Sequence, residues 1–402
     1  MYTWRREMFM KKIDTVLIGY GYRGQMLFDL MKKSGEYRIC AVFDPASDDT
    51  EREGVRFFGG EGSRYRSVIE TFRPELTIIA SPWDCHTEQI LFALESGSAV
   101  AAEIRGGLSF GEYRQITQTV ARTGVPLFPL ENMLFSREIQ AMLHFTHRGG
   151  LGKPVAFRGG YRHDLRPQLV SDEGRLGNPS KPEGLWRGKL YMERNGDLYP
   201  SHGLAPLCLA CGIGRNDRVT EITAVSSLAV GLNAYIREKG GRPEPVTTGD
   251  IVMTHLKTEK GVLLTLTHDT TLPRPRGFDF EWQGTKGIWR GETRQIYIEG
   301  RSPYEQWEPD SRIIDEYETD LWKRYGREAA EADRHHGGMD YMMLKCLAGA
   351  VRGTDRYPVN AADLELWTSV SLYSEMSLIR RRTVFPDSLD EKSMVSVRNR
   401  KS

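Results

Sequence analysis

Residues 13–24, IDTVLIGYGYRG, constrain the fold more than any other stretch of the chain. An apolar run enters Gly19-x-Gly21-x-x-Gly24, and Asp44 closes the next apolar run. Each glycine answers a separate need: a tight turn, close approach of backbone to a pyrophosphate, and close helix–strand packing. The N–H groups that open the following helix face the phosphates, and an acid after the second strand can accept from a ribose 2′-hydroxyl. Strand, glycines, helix (25–33), second strand (37–43) and acid stand in that order, so the spacing predicts a Rossmann unit holding a dinucleotide. Asp44 would repel a 2′-phosphate, which favours NAD over NADP.

The rest of the first third continues the alternation. Strands are expected at 76–80, 99–103 and 125–130, with helices at 87–96 and 110–123 between them. Single-helix connections imply right-handed crossovers and a doubly wound parallel sheet. Ligands of such sheets sit beyond the carboxyl ends of the strands. Gly19, Asp44, Ser81, Glu103 and Asn132 should therefore surround one crevice. After about residue 150 the pattern changes to apolar–polar alternation at 154–161, 219–227, 250–257 and 262–270. Turn signals at Glu259-Lys260-Gly261 and Gly284-Thr285-Lys286-Gly287 point to hairpins in an open, mainly antiparallel sheet. Residues 165–189, rich in Gly, Pro and Arg, read as a long loop. Helical patterns return at 339–351 and 361–382. The expected α/β architecture is an NAD-binding Rossmann domain (12–135), a substrate-binding domain (136–386) and a flexible tail (387–402).

Composition narrows the function classes. With 55 basic and 54 acidic residues, no global field draws the chain to nucleic acid or to a membrane surface. No apolar run is long enough to span a bilayer, and the start lacks a secretory pattern, so the expected compartment is the cytoplasm. Cys208-Leu-Ala-Cys211 has redox-like spacing but no second pair, and it reads as small apolar helix residues. His335-His336 lacks acidic partners at ligand spacing, so no metal site is expected. An open sheet covered by helices on one face would expose an apolar patch on the other, which implies a homodimer or homotetramer.

Strand order and motifs together resemble the Gfo/Idh/MocA superfamily. Ser81-Pro82-Trp83-Asp84-Cys85-His86, Leu130-Glu131-Asn132, Tyr161-x-His163-Asp164-Leu165-Arg166, residues 195–204 (NGDLYPSHGL) and His336-Gly337-Gly338-Met339-Asp340 are similar to one branch of it. That branch is the NAD-dependent α-N-acetylgalactosaminidases of glycoside hydrolase family 109, and the similarity runs from about residue 12 to 382. The resemblance implies that Tyr22 and Arg23 lie in the phosphate turn and that Asp44 takes the adenosine ribose. Ser81, Trp83 and His86 would line the cofactor, with Glu103, Ile104 and Asn132 near its nicotinamide half. Tyr161 and Arg187 would contact a carbohydrate, and Tyr199 and His202 would stand where sugar and nicotinamide meet. The implied chemistry is hydrolysis by transient C3 oxidation, elimination, water addition and re-reduction.

Two departures from the pattern matter. Superfamily dehydrogenases carry Glu-Lys-Pro after the fourth major strand, where the lysine moves protons; here the run is Glu103-Ile104-Arg105. Arginine keeps its proton, so this weakens a plain sugar or polyol dehydrogenase, the alternative function. Arg276 stands where the hydrolases place a sugar-contacting tyrosine, which would favour an anionic or differently substituted sugar. Tyr199 and His202 lie three residues apart, so on a helical turn they share a face. Histidine suits a base near neutrality, and a phenol can act as base at C2 or hydrogen-bond a developing C3 alkoxide. Asp197 either orients His202 or caps the helix starting near Tyr199. Glu103 either lines the site or finishes a strand. Residues 161–166 form a sugar-facing rim or a solvated face, and Arg187 binds substrate or packs a loop.

Overall fold

The computed structural model describes residues 11–388. The expected tail falls almost wholly outside them. Two compact units divide the described residues: 11–135 with 321–364, and 136–320 with 365–388. Residues 321–364, assigned from the sequence to the second domain, thus belong with the first unit.

The first unit is built on β1 (Ile13–Ile18), α1 (Tyr22–Ser34), β2 (Tyr37–Phe43), β3 (Thr50–Arg52), β4 (Val55–Phe58), α2 (Tyr65–Phe72), β5 (Leu76–Ile79), α3 (Trp83–Glu95), β6 (Ala99–Ala102), α4 (Phe110–Thr123) and β7 (Leu127–Pro129). The sheet order is β3-β4-β2-β1-β5-β6-β7, parallel except for the β3–β4 pair. β1, β5 and β6 are buried almost throughout, as expected of parallel strands covered on both faces. From β1 the chain turns first to β2 on one side and later to β5 on the other. The switch point therefore lies at the end of β1. Phe43, Ile18, Ile79, Ala102 and Pro129 lie in register across five adjacent strands, β2, β1, β5, β6 and β7. The residues that follow them, Asp44, Gly19, Ser81, Glu103 and Asn132, consequently leave along one edge. β3, β4 and α2 were not anticipated, because this stretch carries little apolar periodicity beyond Val55–Phe58. α3 starts four residues earlier than expected, right after Pro82, so Trp83 and His86 lie on its first turns.

The second unit begins with α5 (Arg137–His147) and β8 (Pro154–Arg162), then α6 (Arg166–Leu169), α7 (Pro182–Glu193) and α8 (Ser201–Cys211). β9 (Val219–Ser226), α9 (Gly231–Glu238), β10 (Ile251–Thr258), β11 (Leu263–Asp269), β12 (Glu281–Gly284), β13 (Gly287–Arg290), β14 (Gln295–Ile298), β15 (Glu308–Pro309) and α10 (Ser311–Glu316) follow. The eight-stranded sheet runs β15-β14-β13-β12-β8-β11-β10-β9, antiparallel except between β8 and β11. Both expected hairpins form: Thr285-Lys286 joins β12 to β13, and Gly261, at φ +85°, turns β10 into β11. Trp282, Trp289, Phe157 and Phe280 stack into the inner face. The long loop expected at 165–189 instead holds α6 and most of α7. Each has Pro in its first turn, where the missing N–H costs nothing. The chain then forms α11 (Asp320–Ala332), α12 (Met339–Val351) and α13 (Ala361–Arg380).

Along β10 the inner positions Val252, Thr254, Leu256 and Thr258 are buried, while His255 and Lys257 are exposed on the other face. Their cross-strand neighbours there are Thr223, Thr265, Glu221 and Leu263, with Arg158 and Val225 nearby. The outer face therefore mixes charged, polar and apolar groups. A large apolar patch, the premise for expecting an oligomer, is absent at these positions.

Candidate active site

In the first unit the glycine turn is shaped by packing at two of its three glycines. Gly19 has φ +91°, and a Cβ there would lie 2.6 Å from the Ala80 carbonyl carbon. A Cβ on Gly24 would lie 2.0 Å from the Gly19 oxygen. Gly21 differs: it has φ −67°, and nothing lies within 4 Å of where its Cβ would stand. The protein's own packing gives no reason for glycine at 21; a ligand that must approach the backbone does. Asp44 braces the turn, its Oδ2 accepting from the Tyr20 N–H at 2.7 Å and its Oδ1 from the Ala46 N–H at 2.9 Å. Each oxygen retains a lone pair for a ribose hydroxyl. Asn132 is buried and donates to Asp340, while its Oδ1 has no hydrogen-bond partner. A buried acceptor left open is costly unless a bound group fills it. These features fit a dinucleotide.

Other expected cofactor residues differ in how their own unit holds them. Tyr22 opens α1 and is 64% exposed. Arg23 turns to its own unit, donating from Nε to Glu103 at 2.7 Å and, with both terminal nitrogens, to Asp340 at 2.7 Å each. The buried Asp340 also accepts from Asn132 at 3.0 Å and pairs with His336 Nδ1 at 2.5 Å. Burial acts to raise Asp340, but the Arg23 charge and these hydrogen bonds hold its carboxyl well below the usual range. Glu103 receives only one bond from the same guanidinium. Burial, aided by the Asp340 charge, pushes it up to about 7 against Arg23's pull. His86 is wholly buried, and burial pushes it down to about 4. Its Nδ1 accepts from the Gly106 N–H, so Nε2 carries the proton and donates to the Ser81 carbonyl at 2.7 Å. The neutral ring thus ties the β5 end to the β6 end. Ser81 Oγ donates to Gln89. Trp83 and Ile104 are buried, and the Arg105 guanidinium lies 5.6 Å from the Trp83 ring.

Asp333, His336 and Asp340 bring one ligand atom each within 4.8 Å of one another. Acidic partners at ligand spacing therefore exist, which the sequence reading did not recognise. Both Asp340 oxygens already serve Arg23, however, and Asp333 accepts from the N–H groups of Asp340 and His336. A guanidinium 2.7 Å from the carboxylate opposes a cation there.

In the second unit, residues 195–204 divide into an anchor and a working half. Asn195 Oδ1 accepts from Ser226 Oγ and the Gly249 N–H. Gly196 lies against Glu375 and Ser374, where a Cβ would come within 2.6 Å of a side-chain carbon. The Asp197 N–H donates to Ser374 Oγ, and Asp197 Oδ1 accepts from the Tyr199 N–H at 3.2 Å. Asp197 thus braces the turn before α8, which starts at Ser201. Tyr199 and His202 do meet, with ring centroids 4.7 Å apart and planes nearly perpendicular. Tyr161, from the inner face of β8, completes the cluster at 4.9 Å from Tyr199 and 5.3 Å from His202. This closeness depends on glycine: a Cβ on Gly203 would strike the Gly160 N–H nitrogen at 2.4 Å. Arg187, on α7 and ion-paired to Glu183 at 2.5 Å, has its guanidinium 5.6 Å from the Tyr199 ring. Arg276 lies 5.2 Å from the Phe278 ring, itself 6.0 Å from His202. Phe278 and His163 belong to this cluster; His163 was foreseen only as a rim residue and Phe278 not at all. Cys208 and Cys211 are free thiols on α8, and burial pushes the Cys211 thiol up.

Comparison with known proteins bears on both units. Residues 135–392 match the family model of the glycosyl hydrolase 109 C-terminal domain. A glycosyl hydrolase family 109 protein of Stenotrophomonas maltophilia is 34% identical over 94% of this chain and 89% of its own. An alpha-N-acetylgalactosaminidase of Tannerella forsythia is 32% identical over 82% of this chain and 74% of its own. Among solved structures, an NAD binding oxidoreductase from Klebsiella pneumoniae superposes with a TM-score of 0.69 at 18% identity, over 93% of this chain and 99% of that one. Levoglucosan dehydrogenase in complex with NADH and levoglucosan gives 0.68 at 16% identity, again over 93% and 99%. At those identities the structures speak for the shared fold.

Proposed function

Given that the chain belongs to glycosyl hydrolase family 109, we propose that it is an NAD-dependent glycosidase acting on a hexose of the N-acetylgalactosamine type. The observation that carries the reading is the packed set Tyr161, Tyr199 and His202, brought together by β8 and the turn into α8 within the stretch that matches the family. Gly21, Asp44 and Asn132 would hold the dinucleotide. When bound, NAD supplies a reversible two-electron acceptor: with C3 as a ketone, the C2 proton is acidic, the C1 substituent leaves by elimination, water adds, and no net oxidation results. The residues of the chain handle protons around that sequence. His202 takes the C3 hydroxyl proton. Tyr199 removes the C2 proton or donates to the C3 oxygen as charge builds there. Tyr161 and Arg187 position the ring through stacking and hydrogen bonds. Arg105 is buried against Trp83 and Ile104 is apolar, so this part of the chain offers no lysine-like acid–base group for a plain dehydrogenase.

Nitrophenyl N-acetyl-α-galactosaminide hydrolysed in deuterated water tests the route. Release of the aglycone with deuterium at C2 of the sugar is expected, and its absence removes the elimination mechanism. Tyr199→Phe and His202→Ala should each lower the rate by about 10²–10⁴-fold. NADH accumulating in step with an oxidised sugar would identify a sugar dehydrogenase instead.

A further inference from the structure

The charge balance around the aromatic cluster of the second unit is uneven. Arg187 is paired with Glu183, Arg166 with Asp164, Arg274 with Asp269, and Arg162 lies near Asp269 and Asp279. Arg276 has no acidic partner among the described residues, and its Nε is buried without a hydrogen bond. Glu292, whose carboxylate lies against Gly277, is taken up by the N–H groups of Phe278 and Asp279. A buried guanidinium nitrogen with no acceptor is costly by several times an ordinary hydrogen bond unless a ligand supplies one. The Arg276 side chain also faces the working half of the site. Its guanidinium packs over Phe278, whose ring touches the His202 edge of the cluster. His163, hydrogen-bonded to the Tyr161 hydroxyl at 3.3 Å, is pushed down to about 4 by burial and then by the charges of Arg276 and Arg187. Both cations are therefore felt within the cluster, and His163 stays neutral beside them.

Resting on the glycosidase reading, we propose that the sugar this site accepts carries an oxyanion, a carboxylate or a sulfate ester, and that Arg276 is the residue that selects it. The planar guanidinium offers paired N–H donors that match either group. Arg187, already neutralised by Glu183, would serve the ring hydroxyls. A neutral hexose offers hydroxyl oxygens to the same donors but no charge to meet the guanidinium, and so binds less well.

Calorimetric titration of the NAD-loaded protein decides the matter. Galacturonate and a 6-sulfated galactose are compared with galactose and N-acetylgalactosamine, on the natural chain, Arg276→Gln and Arg276→Lys. The natural chain should bind at least one anionic sugar about tenfold or more tighter than its neutral parent. Arg276→Gln should bring that ratio near one, and Arg276→Lys should keep part of it. Preference for galacturonate alone assigns a carboxylate, and preference for the sulfated sugar alone assigns a sulfate ester. Equal binding of neutral and anionic sugars by the natural chain, or a ratio that survives Arg276→Gln, overturns the proposal and leaves the glycosidase reading standing. No binding of any of the four sugars overturns both. The comparison within the natural chain needs no variant, so a substitution that fails to fold does not shield the idea.

Discussion

Glu103 gives the sharpest test of how the first unit is held together. One guanidinium, Arg23, faces two carboxylates and binds the buried Asp340 with two hydrogen bonds and the partly buried Glu103 with one. The better-served acid keeps its charge, and Glu103 is pushed up to about 7 from an ordinary 4.5. A folded-state value above the unfolded one means that the native protein binds the extra proton. The stabilisation is complete below about pH 4.5 and is lost as pH rises to about 7. A rise of this size corresponds to about 3 kcal/mol. The Glu103 side chain is 13% exposed, so screening by solvent trims the figure to about 1–3 kcal/mol.

Glu103→Gln mimics the protonated form, keeps an acceptor for Arg23 Nε and adds no volume. At pH 5 the gap between the variant and the natural chain should be small, about a quarter of its full size. At pH 8 the variant should be the more stable by about 1–3 kcal/mol, a shift of a few degrees for units of this size. The assay is thermal unfolding of nucleotide-free protein from pH 5 to 8.5, read as the difference between the two chains so that other titrating groups cancel. A variant less stable at every pH, by an amount that does not change between 5 and 8, would mean that Glu103 is an ordinary ionised partner of Arg23.

Asp340→Asn removes the stronger partner and leaves Arg23 to Glu103. It should destabilise the first unit by about 3 kcal/mol, and in that background the pH dependence assigned to Glu103 should shrink, because the Asp340 charge is gone and the Arg23 pull remains, as a repeat of the same melts would reveal. Gly21→Ala should leave thermal stability unchanged or slightly improved, since the space is open and φ is ordinary, yet weaken NAD tenfold or more in a titration. Gly24→Ala, whose Cβ would lie 2.0 Å from a carbonyl oxygen, should instead cost more than about 2 kcal/mol; equal melting temperatures for the two variants would refute the division of labour. The homodimer or homotetramer expected from the sequence loses its premise in the mixed outer face of the second sheet, and light scattering that finds a monomer at micromolar concentration removes it.

The parts of the fold that were legible are those where one physical constraint acts alone. β1, β2, β5 and β6 are parallel strands buried on both faces, so their apolar runs stand out whatever surrounds them. The β10–β11 turn was legible because Gly261 takes the left-handed backbone there, and the β12–β13 turn because Gly284 and Gly287 flank it where a side chain has no room. α7 was read as loop because Gly184, Trp186, Arg187 and Gly188 lower its intrinsic preference, while the Pro182 start and the Glu183–Arg187 pair that support it are weak local signals. Membership of residues 321–364 in the first unit has no local signal at all. It follows from Asp340 reaching Arg23 and Asn132 across more than two hundred residues of sequence.

The site was legible as residue types and not as roles. His86 and Glu103 looked alike as polar residues beyond strand ends, yet one is a neutral ring linking two backbone segments and the other a carboxylate competing for a shared cation. What separates them is burial and the count of nearby charges, neither of which is written in spacing. The same distinction runs through residues 195–204. Asn195, Gly196 and Asp197 spend their polar groups and their lack of a side chain on Ser226, Ser374 and the turn. Tyr199 and His202 meet as rings instead, on a helix that only glycine at 203 lets approach β8 so closely. A motif of ten residues is thus recognisable because half of it cannot change without losing the turn, and informative about chemistry because the other half need not be what it is for packing alone.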